Sequence, residues 1–116
     1  MKILFIGDIY GEPGREILKN EITNLKNQYK PNLIIVNGEN AAHGRGITKK
    51  IYKEFMEMGI QMITMGNYTF SNRELVNFID DETINLVRPC NYYEAPGVGY
   101  KVINYNGKKV LIINAL

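Results

Sequence analysis

The sequence predicts an α/β protein with a mostly parallel β-sheet built from βαβ units and followed by an antiparallel hairpin. Short, continuous apolar runs alternate with longer segments whose apolar residues recur at helical spacing. This order is typical of parallel sheets whose strands are joined by crossover helices. Near the C-terminus, Asn106-Gly107 separates two apolar runs, which is the strongest short-range signal of a hairpin.

The first βαβ unit opens the chain. Lys2–Gly7 is predicted as a buried strand, and the helix after it opens near Pro13, since proline is tolerated in a first helical turn. The apolar residues of this helix share one face: Leu18, Ile22, Leu25 and Tyr29. Pro31 ends the helix, and Leu33–Val36 is the second strand.

Two further helices and a third strand follow. Thr48 is the predicted N-cap of the second helix, and Gly59 closes it. Ile60–Met65 is the third strand. Ser71 and Glu74 have the S-x-x-E spacing of a capping box, which predicts the start of a third helix.

The last part of the chain changes pattern. Leu86–Arg88 is predicted as a short strand, and Tyr100–Tyr105 and Lys108–Asn114 as antiparallel strands that join the sheet. Val110–Ile113 is continuously apolar, which predicts a strand buried on both faces. Because no helix follows to cover it, we expect residues 1–116 to form a single, truncated domain whose last strand is covered by missing structure or by a partner.

The composition excludes several classes of protein. A chain of 116 residues with 45% hydrophobic and 22% charged residues is typical of one globular domain. It contains no apolar run of the length that a membrane span or secretory signal needs. The single cysteine, Cys90, excludes an internal disulfide, so we expect a cytoplasmic protein. A net charge of +2 gives no indication of RNA binding.

Polar residues follow each of the first three predicted strands. Asp8 follows the first, Glu39-Asn40 the second and Asn67 the third. Because the carboxyl ends of parallel strands meet at one edge of a sheet, we expect these side chains to converge. Their oxygen atoms suit divalent cations, and a pair of such ions can activate a water for phosphoryl displacement.

Two of these residues also have an ordinary structural interpretation. Asp8 alone is typical of a turn or a helix cap, and Asn67 after a glycine is typical of a turn in the left-handed conformation. Glu39 is harder to explain in this way, since a strand-end carboxylate at this edge needs a partner. The spacing by itself selects neither the metal nor the reaction.

Several segments resemble a known family. GDIYGEPGR, VNGENAAHGRGIT, ITMGNYTF and NLVRPCNY resemble, in this order and over essentially the whole chain, the YmdB-like metallophosphoesterases of the calcineurin-like superfamily. The resemblance implies a sandwich of two sheets flanked by helices, hydrolysis of 2′,3′-cyclic nucleotides or related phosphodiesters, and two iron or manganese ions. It implies Asp8, Glu39 and Asn40 as ligands of the first metal. It also implies Glu39 as the bridge and Asn67 as a ligand of the second metal.

The chain departs from the family pattern at one catalytic position. Tyr68 stands where the family has a histidine that protonates the leaving oxygen or stabilises its charge. A phenol can donate a hydrogen bond, but it is a weaker acid than an imidazolium. Family members are also longer and carry further metal-binding histidines in the half absent here. We therefore expect weak metal binding and little turnover from the chain by itself.

Three further positions are candidates for other roles. His43 and Arg45 lie just before a predicted helix N-terminus, where they are candidates for binding a substrate phosphate; the alternative is an exposed loop. Cys90 is predicted as a small buried hydrophobe rather than a nucleophile.

Two functions are consistent with these observations. The first is a metal-dependent phosphodiesterase acting on cyclic nucleotides or related phosphodiesters, impaired in this short chain. The alternative is a non-catalytic fragment or remnant that acts as an assembly module. For either function we expect a homo-oligomer or a C-terminal partner segment, because the last strand is uncovered.

Overall fold

The computed structural model describes all 116 residues. The strands are β1 (Ile3–Ile6), β2 (Leu33–Asn37), β3 (Met62–Thr64), β4 (Leu86–Val87), β5 (Tyr100–Tyr105) and β6 (Lys108–Ile113). The helices are α1 (Gly11–Tyr29), α2 (Lys49–Glu57) and a 3-10 helix at Arg73–Asn77. β1 to β4 form a parallel sheet in sequence order, and β5 and β6 form an antiparallel hairpin. The predicted α/β class is confirmed.

The first two helices form close to where the sequence places them. α1 begins two residues before Pro13, and it ends at Lys30, which adopts a left-handed conformation with φ of 47° before Pro31. At the start of α2, the Thr48 hydroxyl accepts a hydrogen bond of 3.2 Å from the N–H of Ile51. This bond satisfies one of the N–H groups that the first helical turn leaves unpaired, and it confirms the predicted cap.

The predicted capping box of the third helix is wrong. The N-cap is Asn72 rather than Ser71, and its side chain accepts from the N–H of Glu74 at 3.0 Å. The Glu74 carboxylate accepts instead from the N–H of Lys49, at 2.8 Å, in the first turn of α2. Because Glu74 serves a different helix, the box is not closed and the segment forms only a short 3-10 helix.

The two faces of the parallel sheet are covered by different elements. On one face, the sheet packs against α1 and α2 in a core of 19 buried residues that includes Leu18, Val36 and Phe55. On the other face, Ile35, Met62 and Val87 contact Ile112 of the hairpin. The structure is therefore a three-layer arrangement of helices, sheet and hairpin. None of the helices has both the length and the hydropathy of a membrane-spanning segment.

The hairpin differs from the prediction in two respects. It lies across the face of the sheet as a separate sheet, so the expectation that β5 and β6 join the parallel strands is wrong. β6 is also buried on one face only: Ile112 is 8% exposed, whereas Leu111 and Ile113 are 55% and 61% exposed. The alternation of side chains along a strand directs Leu111 and Ile113 away from the sheet that Ile112 contacts.

Asn114 joins the hairpin to the end of the parallel sheet. Its side-chain amide donates hydrogen bonds to the carbonyls of Met65 and Val87, at 2.5 and 2.9 Å. Its backbone N–H donates to Gly99, and its carbonyl accepts from Cys90. One side chain thus fixes the carboxyl ends of β3 and β4.

We predict that Asn114→Ala lowers the free energy of unfolding by about 1–3 kcal/mol, since it leaves the Met65 carbonyl without a donor and removes one of the two hydrogen bonds to the Val87 carbonyl. Urea unfolding followed by circular dichroism measures the change. Asn104→Ala, at an exposed position of β5, is the matched control and should change the value by less than about 0.5 kcal/mol. Equal unfolding midpoints for the two variants would contradict this role of Asn114.

Candidate metal centre

The loops that follow β1, β2 and β3 lie together at the carboxyl edge of the sheet, which we call the rim. Backbone hydrogen bonds join the first two loops: Ile9 donates to Asn37 at 3.2 Å, and Gly11 donates to Asn40 at 2.9 Å. Asp8 leaves the strand direction with φ of 36°, a conformation that aspartate tolerates better than most residues. This turn brings its carboxylate to the second loop.

Asp8 and Asn40 are in direct contact at the rim. The amide nitrogen of Asn40 donates a hydrogen bond of 2.6 Å to Asp8 Oδ1. The other amide atom, Asn40 Oδ1, is buried and has no hydrogen-bond partner in the chain. A buried polar oxygen without a donor is unfavourable, and a bound cation would satisfy it. The Asp8 carboxylate and Asn40 Oδ1 are therefore two oxygen atoms that could bind the same cation.

Glu39 connects the second loop to the third. Its carboxylate accepts from the backbone N–H of Tyr68 at 3.4 Å. It also lies directly against Gly66, where an added Cβ atom would come within 2.2 Å of Glu39 Oε1. Any other residue at position 66 would displace the Glu39 carboxylate from this position. The third loop is itself held by the Thr69 hydroxyl, which donates to the Gly66 carbonyl at 2.5 Å.

The structure thus brings the predicted ligands to one edge of the molecule. Asp8 touches Asn40, and Glu39 touches the loop that carries Asn67, whose side chain is exposed. The rim contains two carboxylates and two amides, and no three His, Cys, Asp or Glu side chains come together anywhere in the structure. Two metal ions would need further donors beyond these four side chains. The ligand roles of the four residues stay predictions.

The candidates for phosphate binding, His43 and Arg45, lie in the second loop of the rim. His43 is exposed in the second loop, with φ of 51°. The guanidinium carbon of Arg45 lies 5.3 Å from the centre of the Tyr68 ring, within the range of a cation–π contact. The contact between Tyr10 and the second loop is not predicted by the sequence. Tyr10 is 63% exposed and lies over Gly44, where an added Cβ would come within 2.7 Å of the Tyr10 hydroxyl. A tyrosine two residues after Asp8 was the only signal available.

Two residues near the end of β4 have structural rather than chemical roles. The guanidinium group of Arg88 donates hydrogen bonds to four backbone carbonyls: Pro89, Ala95, Pro96 and Gly97. Cys90 is exposed, so the prediction of a buried residue is wrong. Its backbone N–H is bound to the Asn114 carbonyl at 2.8 Å, which holds Cys90 at the edge of the molecule, where its side chain is exposed.

Comparison with known proteins places this fold and these loops in one family. The model of a family described as "YmdB-like protein" matches residues 4–116. The chain belongs to the YmdB-like family. The family recognised from the sequence segments is thereby confirmed.

Two relatives of this chain are longer proteins. The chain is 50% identical over 115 residues to a 2′,3′-cyclic-nucleotide 2′-phosphodiesterase of Bacillus subtilis, covering 98% of this chain and 43% of the relative. It is 40% identical over 122 residues to a putative phosphatase/phosphodiesterase of Mycoplasma pneumoniae, covering 100% of this chain and again 43% of the relative. The chain therefore spans less than half the length of these relatives.

Solved structures share the fold. A hypothetical protein from Thermus thermophilus superimposes with a TM-score of 0.89 at 32% identity, over 99% of this chain and 44% of that one. A phosphatase from Mycoplasma pneumoniae also gives a TM-score of 0.89, at 40% identity, over 99% of this chain and 42% of that one. The α/β architecture of this chain thus matches part of each of these two longer proteins.

We predict that Gly66→Ala weakens Mn²⁺ binding by about 10-fold or more, because the added methyl group displaces the Glu39 carboxylate. Isothermal titration calorimetry measures the affinity, and circular dichroism checks that the fold is retained. Gly7→Ala is the matched control, since an added Cβ at Gly7 meets no atom within 4 Å. The same affinity for both variants would show that Glu39 does not bind the ion.

Proposed function

We propose that this chain forms the first half of the active site of a metal-dependent phosphodiesterase that acts on 2′,3′-cyclic nucleotides or related phosphodiesters. The observation that carries the proposal is the buried, unpartnered Oδ1 of Asn40 beside the Asp8 carboxylate. The names of the Bacillus subtilis and Mycoplasma pneumoniae relatives support the reaction class. The carboxylate and amide oxygens are of the kind that divalent ions bind, and the two ions that we propose are iron or manganese, with further donors from outside these residues.

Each rim residue has a separate role in this proposal. Asp8, Glu39 and Asn40 would hold the first metal. Glu39 and Asn67 would be the ligands that this chain contributes to the second metal. When bound, the metal pair supplies an activated water and neutralises charge on the phosphate. The contact between Glu39 and Gly66 sets how far the bridging carboxylate extends toward the third loop.

Tyr68 takes the position next to the leaving oxygen. It is half-buried directly after Asn67, and its backbone is bound to Glu39. A neutral phenol stabilises a developing oxyanion by hydrogen bonding. It transfers a proton less readily than an imidazolium, so hydrolysis by this chain is slower than that of a relative with histidine here.

The second half of the ligand set comes from a C-terminal partner segment. The rim offers two carboxylates and two amides, which is too few donors for two divalent ions. The relatives contain more than twice the aligned length, so they carry chain that can supply the missing donors. The isolated chain therefore binds metal weakly.

A second candidate function, an assembly module, is favoured by exposed apolar side chains on the outer face of the hairpin and on β1. On the outer face of the hairpin, Val102 and Leu111 pair across the strands and are 50% and 55% exposed. On β1, the edge strand of the parallel sheet, Ile3 and Phe5 are 46% and 56% exposed. Exposed apolar strands of this kind bind another polypeptide, either a C-terminal partner segment or a second copy of this chain.

We predict that Asp8→Ala lowers Mn²⁺-dependent hydrolysis of bis-p-nitrophenyl phosphate and of 2′,3′-cyclic AMP by at least about 100-fold. The assay contains this chain together with the C-terminal portion of the Bacillus subtilis relative, which supplies further donors. Glu16→Ala, at an exposed position of α1, is the control and should retain the wild-type rate. Absence of Mn²⁺- or Fe²⁺-dependent turnover in the wild-type mixture would rule out the phosphodiesterase.

The assembly function makes a separate prediction about size. The chain alone should form oligomers through the outer face of the hairpin, and Leu111→Glu should shift them to monomers because it places a charge in an apolar interface. Light scattering after size exclusion measures the mass. Asn24→Glu introduces the same charge on the exposed side of α1 and should leave the mass unchanged. A monomeric wild-type chain would contradict self-assembly.

A further inference from the structure

Arg45 is an arginine at the rim whose hydrogen-bonding capacity is unused. It lies between Gly44 and Gly46 in a turn closed by hydrogen bonds of 2.9 Å, from Arg45 to the Ala42 carbonyl and from Ala42 to the Gly46 carbonyl. Its guanidinium group donates no hydrogen bond within the chain; its contact is with the Tyr68 ring, at 5.3 Å. The residue is exposed, so its charge faces solvent at the rim.

Two of the other three arginines of the chain lack this freedom, whereas Arg73 is exposed in the 3-10 helix. The guanidinium group of Arg88 is bound to four backbone carbonyls. Arg15 donates to the Ala41 carbonyl at 3.0 Å and forms an ion pair of 3.7 Å with Glu54. Both are committed to holding loops and helices together. The guanidinium group of Arg45 instead lies over the Tyr68 ring, and its N–H donors have no acceptor within the chain.

The position of Tyr68 determines where this free cation lies. The backbone N–H of Tyr68 is bound to the Glu39 carboxylate, and its loop is closed by the bond from Thr69 to Gly66. The cation over this ring therefore lies on the same loops as the Glu39 carboxylate, which we propose as the bridge between metals. The stacking favours this rotamer over the solvated ones by roughly two- to five-fold.

We propose that Arg45 binds the non-bridging oxygens of the substrate's phosphate group, and that the ring of Tyr68 is the positioning residue that holds it there. The inference rests on the proposed function, because the phosphate must be brought to the rim by the metals. A planar guanidinium group binds two phosphate oxygens at once, which fixes the orientation of the ester as well as its charge. The ligand class is therefore an anionic phosphate ester.

In this proposal the ring and the hydroxyl of Tyr68 have two separate roles. Its ring supports Arg45, and its hydroxyl faces the leaving oxygen in the proposed reaction. Phenylalanine keeps the ring and removes the hydroxyl, whereas leucine removes both. Substrate affinity should follow the ring, and turnover should follow the hydroxyl.

The test uses the Mn²⁺-loaded chain and phenylphosphonate, a phosphate analogue that is not hydrolysed, with affinities measured by calorimetry. Arg45→Ala and Tyr68→Leu should each weaken binding about 5- to 30-fold, and the double variant should be no weaker than Arg45→Ala. The phenylphosphonate affinity of Arg45→Lys should lie between those of the wild type and Arg45→Ala, because lysine keeps the charge without the planar guanidinium group. Tyr68→Phe should bind like the wild type.

Two controls separate this inference from other effects. Lys108→Ala removes one positive charge at the hairpin turn and should leave phenylphosphonate affinity unchanged. The Mn²⁺ affinity of Arg45→Ala should equal that of the wild type, whereas Asp8→Ala should lose the metal.

Three results would overturn the inference: no measurable phenylphosphonate binding, wild-type affinity in Arg45→Ala, or equal losses in Tyr68→Phe and Tyr68→Leu. Hydrolysis in the mixture with the Bacillus subtilis portion is a separate readout. If hydrolysis occurs and its KM is unchanged in Arg45→Ala, the inference fails and the proposed function stands. If phenylphosphonate binding depends on Arg45 and hydrolysis is absent, the proposed function fails and Arg45 stands as an anion-binding residue.

Discussion

The parallel register of β1, β2 and β3 is the constraint on which the rest of the structure depends. Ile6 pairs with Val36, and Asn37 pairs with Thr64. The three strands therefore end side by side, and residues two or three positions beyond these ends meet at one edge. Asp8, Glu39-Asn40 and Asn67 occupy those positions. Side chains far apart in the sequence become neighbours because of backbone hydrogen bonds in the sheet rather than any attraction between the side chains themselves.

Much of this arrangement could be predicted from the sequence, because it follows from local patterns. The βαβ order and the Thr48 cap depend on residues close in the chain, and the convergence of Asp8 and Glu39 follows once the strands are parallel. The errors concern contacts between distant segments. The Glu74 carboxylate serves Lys49 of another helix, and the Cys90 backbone is held by Asn114. No pattern within a short window of sequence contains such partners.

The rim lacks metal donors, and some apolar strand surfaces of the same chain lack a covering element. The rim has oxygen donors from the strand ends but too few for two metal ions. Of the two edge strands of the parallel sheet, β1 exposes apolar residues to solvent, and the hairpin has an apolar outer face. A single additional segment that packs on the exposed face of β1 would lie beside the rim, since that face and the carboxyl end of β1 belong to the same sheet. Asn114 ties the hairpin, which covers one face of the sheet, to the carboxyl ends of β3 and β4.

The position of a bound cation tests the central claim most directly. Crystals of the wild-type chain grown with Mn²⁺ should give an anomalous scattering peak about 2.2 Å from Asn40 Oδ1 and from the Asp8 carboxylate, with Glu39 at a similar distance. A peak there would show that the strand ends jointly bind a metal. Ordered electron density for these side chains with no anomalous peak between them, or a peak elsewhere on the molecule, would contradict the account.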